Sequence, residues 1–307
     1  MSAGGGKTAI VAALAANAGI ALAKFVGFLI TGSSSILAES VHSLADTSNQ
    51  GLLLIGRKRA RREATEEHPF GYGRDRYFYA FVVALLLFSL GSVFALYEGA
   101  HKLHSPEEIS SPVVAVGILI VAIVLEGLSF RTAVRESRAL KGSGSWWRFI
   151  RQSKSPELPV VLLEDTGALV GLAFALVGVG LAVLTGDPVW DAIGTLGIGL
   201  LLGAIAIILI LETKSLLIGE GSGPEELRTI CTAMVGRGVD RVIHLRTQYL
   251  GPDELLVAAK IAVPATMSTP ELARAIDEAQ ARVRGAVPAA RIIYLEPDLD
   301  RTPASTS

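Results

Sequence analysis

Six apolar stretches, each long enough to cross a bilayer as a single helix, constrain this chain more than any other feature of its sequence. A hydrocarbon core of about 30 Å needs about 20 helical residues. The stretches lie near 8–31, 34–56, 77–99, 112–132, 158–184 and 189–212. Backbone polar groups inside lipid must be satisfied within their own segment, so runs of this length read as transmembrane helices. The chain is half hydrophobic and only 19% charged, below the roughly 25% of a soluble domain. The first stretch, with Lys7 before it and Ala21-Leu22-Ala23 inside it, has some features of a cleaved signal. It continues past Lys24 to Ile30 and leads directly into the second stretch, as a retained first span does. Gly4-Gly5-Gly6-Lys7-Thr8 resembles part of a phosphate loop, but Met1 stands where the first glycine would be, and no nucleotide site follows.

The loops set an orientation. Arg57, Lys58, Arg59, Arg61, Arg62, Arg74 and Arg76 separate spans two and three, and Arg135, Arg138, Lys141, Arg148, Arg151 and Lys154 separate spans four and five. On the other side, the segment 100–111 has Lys102 as its one basic residue, and the turns at 31–33 and 185–188 have none. The positive-inside rule then puts both termini in the cytoplasm, with a bacterial-type plasma membrane as the expected host. Gly167 with Gly171, and Gly199 with Gly203, mark close helix packing.

Beyond residue 220 the pattern becomes that of a soluble α+β domain in the order α-β-β-α-β, a ferredoxin-like open-faced sandwich. Glu225–Val235 and Thr269–Val283 read as helices, and Val239–Tyr249, Glu254–Val263 and Arg291–Leu295 as strands. The expected division is a six-helix membrane domain over 1–220, a cytoplasmic α+β domain over 221–300 and a disordered tail over 301–307. The net charge of −1 excludes a nucleic-acid binder built on phosphate contacts. Cys231 is the single cysteine, so no intramolecular disulfide and no cysteine-rich zinc site can form.

Ionisable groups within the spans cost about 3 kcal/mol each even on the lenient insertion scale, so each is a functional candidate. Span two carries Glu39, His42 and Asp46; His42 and Asp46 stand at i,i+4, about 40° apart around the helix, and reach one point in space. Span five carries Glu164 and Asp165, about 100° apart. Two facing helices offering His42, Asp46 and Asp165 or Glu164 have the chemistry of a small divalent-cation site. Glu164 has a second reading as an interfacial residue. Lys24 and Asn17 read as structural partners of the carboxylates, and Glu126 in span four as another member of the same network.

The run Ser33-Ser34-Ser35-Ile36-Leu37-Ala38-Glu39-Ser40-Val41-His42-Ser43-Leu44-Ala45-Asp46 resembles the second-helix signature of the cation diffusion facilitator family. His68-Pro69-Phe70-Gly71-Tyr72-Gly73-Arg74 matches that family's loop after the second span. Leu162-Leu163-Glu164-Asp165 and Ser215-Leu216-Leu217-Ile218-Gly219-Glu220 are most similar to the zinc transporter nine-like branch. The resemblance implies that His42 and Asp46 form half of a transport site and that Asp165 supplies its second carboxylate. It implies a secondary transporter rather than an enzyme: a homodimer in the lipid bilayer that exports a divalent cation, zinc first, in exchange for protons, and needs no cofactor. Manganese, iron or cobalt is the alternative cargo. The family's span-five histidine is replaced by Val161, and its soluble-domain histidine ligands align with Lys260 and Tyr294, leaving His244 as the only histidine there. A membrane-embedded metal-dependent hydrolase and a scaffold or receptor are the rival classes.

Overall fold

The structure, a computed structural model, describes residues 18–106 and 109–299. Asn17, the start of the first span and the tail from Arg301 lie outside the described residues. The membrane part consists of α1 (Ala18–Thr31), α2 (Ser34–Arg59), α3 (Asp75–Leu86), a π-helical segment (Leu87–Val93), α4 (Phe94–His104), α5 (Pro112–Lys141), α6 (Trp146–Gln152), α7 (Glu157–Thr185) and α8 (Val189–Ile218). Four continuous helical runs, Asp75–His104, Pro112–Arg138, Glu157–Thr185 and Val189–Ile218, are long and apolar enough to cross a membrane on composition alone.

Helix α2 is the least apolar of the long helices because one of its stripes is polar, and that stripe is buried. Its 26 residues span about 39 Å at 1.5 Å per residue, more than a hydrocarbon core. Leucine, valine and isoleucine instead dominate the outward faces of the other helices, with Val113 86% exposed and Leu200 66%. This inversion, polar inside and apolar outside, is what a lipid solvent selects. The glycines act as sequence spacing suggests. A Cβ on Gly167 would stand 2.8 Å from Ile205 Cδ1, and one on Gly199 would stand 2.7 Å from Leu96 Cγ. Helices α7 and α8 meet backbone to backbone, since a Cβ on Gly178 would lie 2.9 Å from the Trp190 carbonyl oxygen.

Two local features depart from the sequence expectation. The third span contains one long π-helical stretch, and the basic loop before α7 folds into the short α6, whose N-cap Ser145 accepts from the Arg148 backbone N–H. Lys141 and Arg151 stack on Trp146 and Trp147 there, which orders a charged segment with interfacial aromatics.

The second compact unit combines Ala60–Arg74 with the chain from Ser215 onward; the first takes the chain up to Arg59 and Asp75–Lys214. In the second unit, α9 (Pro224–Met234), β1 (Arg241–Gly251), β2 (Glu254–Val263), α10 (Thr269–Ala286) and β3 (Ile292–Leu299) reproduce the expected α-β-β-α-β order. The sheet order is β1-β2-β3, antiparallel between β1 and β2 and parallel between β2 and β3. Ile230, Met234, Leu255, Val257, Ile261, Ala279 and Val283 form its core. Ser268 and Glu271 close a capping box at the start of α10. The Ser268 hydroxyl and backbone N–H hold the Glu271 carboxyl below the usual glutamate range. Its stabilising contribution is therefore present above the ordinary glutamate pKa and is lost only as pH falls through the depressed folded value.

The loop Ala60–Arg74 belongs with this unit because its glycines allow backbone contact. A Cβ on Gly73 would meet the Leu250 carbonyl oxygen at 2.7 Å, and one on Gly251 would meet Gly73 Cα at 3.0 Å. Gly219, directly after α8, has φ +117°, and its N–H donates to the Ser215 carbonyl at 3.0 Å. A side chain there would also strike Gln248. Gly219→Ala is expected to cost about 2 kcal/mol, read as a lower unfolding temperature in detergent; an unchanged temperature would show that the turn relaxes freely.

Candidate functional site

The polar stripe of α2 is Glu39, His42, Asp46 and Asn49, spaced i, i+3, i+7 and i+10, so all four face one way. Glu39, His42 and Asn49 are fully buried, and the Asp46 side chain is 14% exposed. His42 Nε2 stands 3.5 Å from Asp46 Oδ2, one helical turn away. Among the described residues, neither His42 ring nitrogen has a hydrogen-bond partner, nor does Asp46 Oδ1. A hydrogen-bonded core histidine, the ordinary reading of a buried imidazole, does not describe this residue. Unpaired polar atoms at this depth cost several kcal/mol unless a cation, proton or water meets them, so they mark where binding would be rewarded.

Helix α7 brings Glu164 and Asp165 into the interior, 4% and 7% exposed. Their 100° offset sends them to different neighbours. Asn49 Nδ2 donates to Glu164 Oε1 at 2.7 Å, tying that acid to α2, whereas Ser129 Oγ on α5 donates to Asp165 Oδ2 at 3.1 Å. Glu164 is thus buried between helices and held by α2. Both acids interact electrostatically with Asp46. The structure therefore pairs His42 with Asp46 and buries both α7 carboxylates nearby. Among the described residues it does not draw three such side chains into one metal-holding cage. Val161, one turn before Asp165, is half-buried and packs against the apolar core.

Lys24 of α1 has the structural pairing expected of it: Nζ donates to Ser43 Oγ at 2.7 Å and Glu39 Oε2 at 3.2 Å, and stands 3.8 Å from Glu126 Oε1. Gly171 makes room for Glu39, since a Cβ there would lie 2.6 Å from Oε1.

Sequence reasoning missed three supports of the site. Asn49 and Ser129 orient the α7 acids, and only their place on the stripes already holding Asp46 and Glu126 could have signalled this. The π-helical segment passes beside His42, where a Cβ on Gly91 would be 4.0 Å from Nδ1; π-helical turns recur at functional sites. The third support is Asp191 of α8, 3% exposed, which accepts from Ser33 Oγ (2.9 Å), Ser34 N (2.8 Å), Ser34 Oγ (3.0 Å) and Ser35 N (3.4 Å). It caps α2 from another helix, satisfying N–H groups that the first turn cannot satisfy itself and complementing the helix dipole. The triple serine is therefore the docking end of the helix that carries His42 and Asp46.

In the C-terminal unit, the positions aligned with soluble-domain histidines have ordinary roles. Lys260 Nζ lies 2.9 Å from Glu296 Oε1 and 3.3 Å from Asp298 Oδ2 on the neighbouring strand. These contacts hold its ammonium above the usual lysine range. Tyr294 is exposed, and His244 Nε2 accepts from Arg246 Nε at 3.0 Å.

Comparison with known proteins agrees with this arrangement. Residues 10–218 match the family model described as the cation efflux transmembrane domain. The human proton-coupled zinc antiporter SLC30A9, mitochondrial, is 34% identical over 223 residues, which is 72% of this chain and 39% of that protein. Metal tolerance protein C4 of Arabidopsis thaliana is 29% identical over 258 residues, 82% of this chain and 56% of that protein. The magnetosome protein MamB of Paramagnetospirillum magneticum is 27% identical over 285 residues, covering 92% and 90% of the two chains. This chain thus spans about two fifths of the length of the human relative. With the matched segment running from the first span to the end of α8 and enclosing the whole polar stripe, the chain belongs to the cation efflux, or cation diffusion facilitator, family.

Proposed function

We propose that the protein is a secondary transporter that moves a divalent cation, zinc first, across its membrane in exchange for protons. The observation that carries this reading is the fully buried His42, with both ring nitrogens unpartnered among the described residues, one turn from Asp46, which itself interacts electrostatically with two buried α7 carboxylates. Cation binding needs a neutral imidazole and ionised carboxylates, so protons and metal compete for the same atoms. Exchange follows when the site opens alternately to the two sides. Acid on the releasing side then drives the metal off, and the pH gradient powers transport.

His42, Asp46 and Asp165 are the proposed ligands, with Glu164 as the fourth. One nitrogen with several oxygens accepts tetrahedral zinc, but also manganese, iron or cobalt. The zinc antiporter relative supports zinc. The basic loops support cytoplasmic termini, and the C-terminal α+β unit is proposed as the dimerisation element of a homodimer.

The test is uptake of zinc, manganese, iron and cobalt into proteoliposomes holding the purified protein, with and without an imposed pH gradient. Flux that requires the gradient supports the reading; no flux of any metal sinks it and returns the hydrolase and scaffold readings to the front. Within the same assay, Glu164→Gln is expected to slow uptake nearly as much as Asp165→Asn, and retention of most activity would remove Glu164 from the ligand set. Val161→His should shift preference from manganese toward zinc, because an imidazole favours zinc more than a carboxylate does.

A further inference from the structure

Apart from Asp191, which caps the start of α2, five acids of the membrane unit, Glu39, Asp46, Glu126, Glu164 and Asp165, are buried or largely buried, and Lys24 contacts two of them. Such a cluster is stable only where protons or cations offset its charge. Lys24, 1% exposed, is tightly held on one side by Ser43 Oγ at 2.7 Å and Glu39 Oε2 at 3.2 Å. Its 3.8 Å separation from Glu126 Oε1 is beyond hydrogen-bond reach, so Glu126 is the looser of its two acids.

Glu126 also looks the other way. Its side chain is 13% exposed, and Ser129, three residues on and therefore on the same face of α5, donates to Asp165. Glu126 interacts electrostatically with both Asp46 and Asp165. One carboxylate on a helix outside the proposed ligand set thus shares its surroundings with a tethered ammonium and with two proposed ligands. The unpartnered nitrogens of fully buried His42 and the unpartnered Asp46 Oδ1 belong to the same interior.

We propose that Glu126 is a further cation-binding carboxylate of the His42, Asp46 and Asp165 site, and that Lys24 competes with the transported divalent cation for it. This rests on the transport reading above. Lys24 is the resident cation when the site is empty of metal. An arriving divalent ion draws Glu126 away from it, while Glu39 and Ser43 keep the ammonium in place. The arrangement contributes a carboxylate to cation binding without leaving that carboxylate unpaired between transport cycles.

Competition and simple structural pairing differ in sign. If Lys24 competes, removing it tightens cation binding while removing Glu126 weakens it; if the two merely brace α1 against α5, both changes weaken it. The measurement is equilibrium binding of radioactive zinc to full-length protein in detergent, for wild type, His42→Ala, Glu126→Gln and Lys24→Gln. Glutamine at 24 keeps a donor for Ser43. Glu126→Gln is expected to weaken zinc by about tenfold or more, Glu126→Asp to recover part of that loss, and Lys24→Gln to tighten zinc severalfold. Unchanged affinity in Glu126→Gln overturns the proposal, as does weaker binding in a well-folded Lys24→Gln. Should Lys24→Gln not fold, Lys24→Met, which keeps the apolar stem without the charge, is read for the same sign. His42→Ala separates the two levels: if it abolishes binding while Glu126→Gln leaves affinity unchanged, only the role of Glu126 fails, whereas wild-type binding in His42→Ala removes the transport-site reading itself.

Discussion

His42→Ala and Asp46→Asn are each expected to lower initial cation uptake by at least about a hundredfold while leaving the protein inserted and its oligomeric state unchanged. The pair supplies a nitrogen and an oxygen donor from one helical turn, with Nε2 and Oδ2 3.5 Å apart. A small site that loses one such donor loses much of its binding free energy, since a metal satisfied by few ligands has no spare one to recruit. The fold is little affected, because His42 Nδ1 and Nε2 and Asp46 Oδ1 make no hydrogen bond among the described residues. The measurement is uptake in proteoliposomes, with gel filtration in detergent as the control on folding. Wild-type rates in either variant would show that the cation crosses elsewhere.

Asp191→Ala is expected to produce the largest loss of stability, about 4 kcal/mol. One buried carboxylate accepts four hydrogen bonds from Ser33, Ser34 and Ser35, two of them from backbone N–H groups at the start of α2. Alanine leaves those donors in the interior without an acceptor and removes the negative charge that complements the helix N-terminus. Thermal unfolding in detergent should fall by about 10 °C, and Asp191→Asn, which keeps one acceptor oxygen, should fall by less. A shift of only a degree or two would mean that Thr195, which lies 3.0 Å from Ser34 Oγ and 3.1 Å from Ser35 Oγ, takes over the cap. Because α2 carries His42 and Asp46, the same variant should also transport poorly even when enough of it folds.

Much of this architecture was legible because lipid and helix geometry restrict what a sequence can do. An apolar run of about 20 residues has one stable form in a bilayer, so the helices follow from composition, and the largest shifts in their ends are where α4, α5 and α8 continue to His104, Lys141 and Ile218. The C-terminal elements were legible from alternation, turn residues and the Ser268 cap, all of which act within a few residues. The stripe Glu39, His42, Asp46 was legible because ionisable groups in such a helix are too costly to be incidental.

What the chain could not disclose by itself is which neighbour each polar group meets, because that depends on helices brought together from distant positions. Glu164 and Asp165 are adjacent in sequence, yet one is bound by Asn49 of α2 and the other by Ser129 of α5. Their 100° separation is local, but only packing assigns the two directions to two helices. Asp191 lies 157 residues from the Ser34 that it caps, and no periodicity connects them. The π-helical turn beside His42 depends on the pattern of backbone hydrogen bonds, which side-chain spacing does not encode. The sequence by itself determined the membrane helices, the C-terminal α+β unit and the ionisable residues proposed to bind a cation; only the tertiary structure decided how those residues are paired, because pairing is set by the approach of helices whose contacts are non-local.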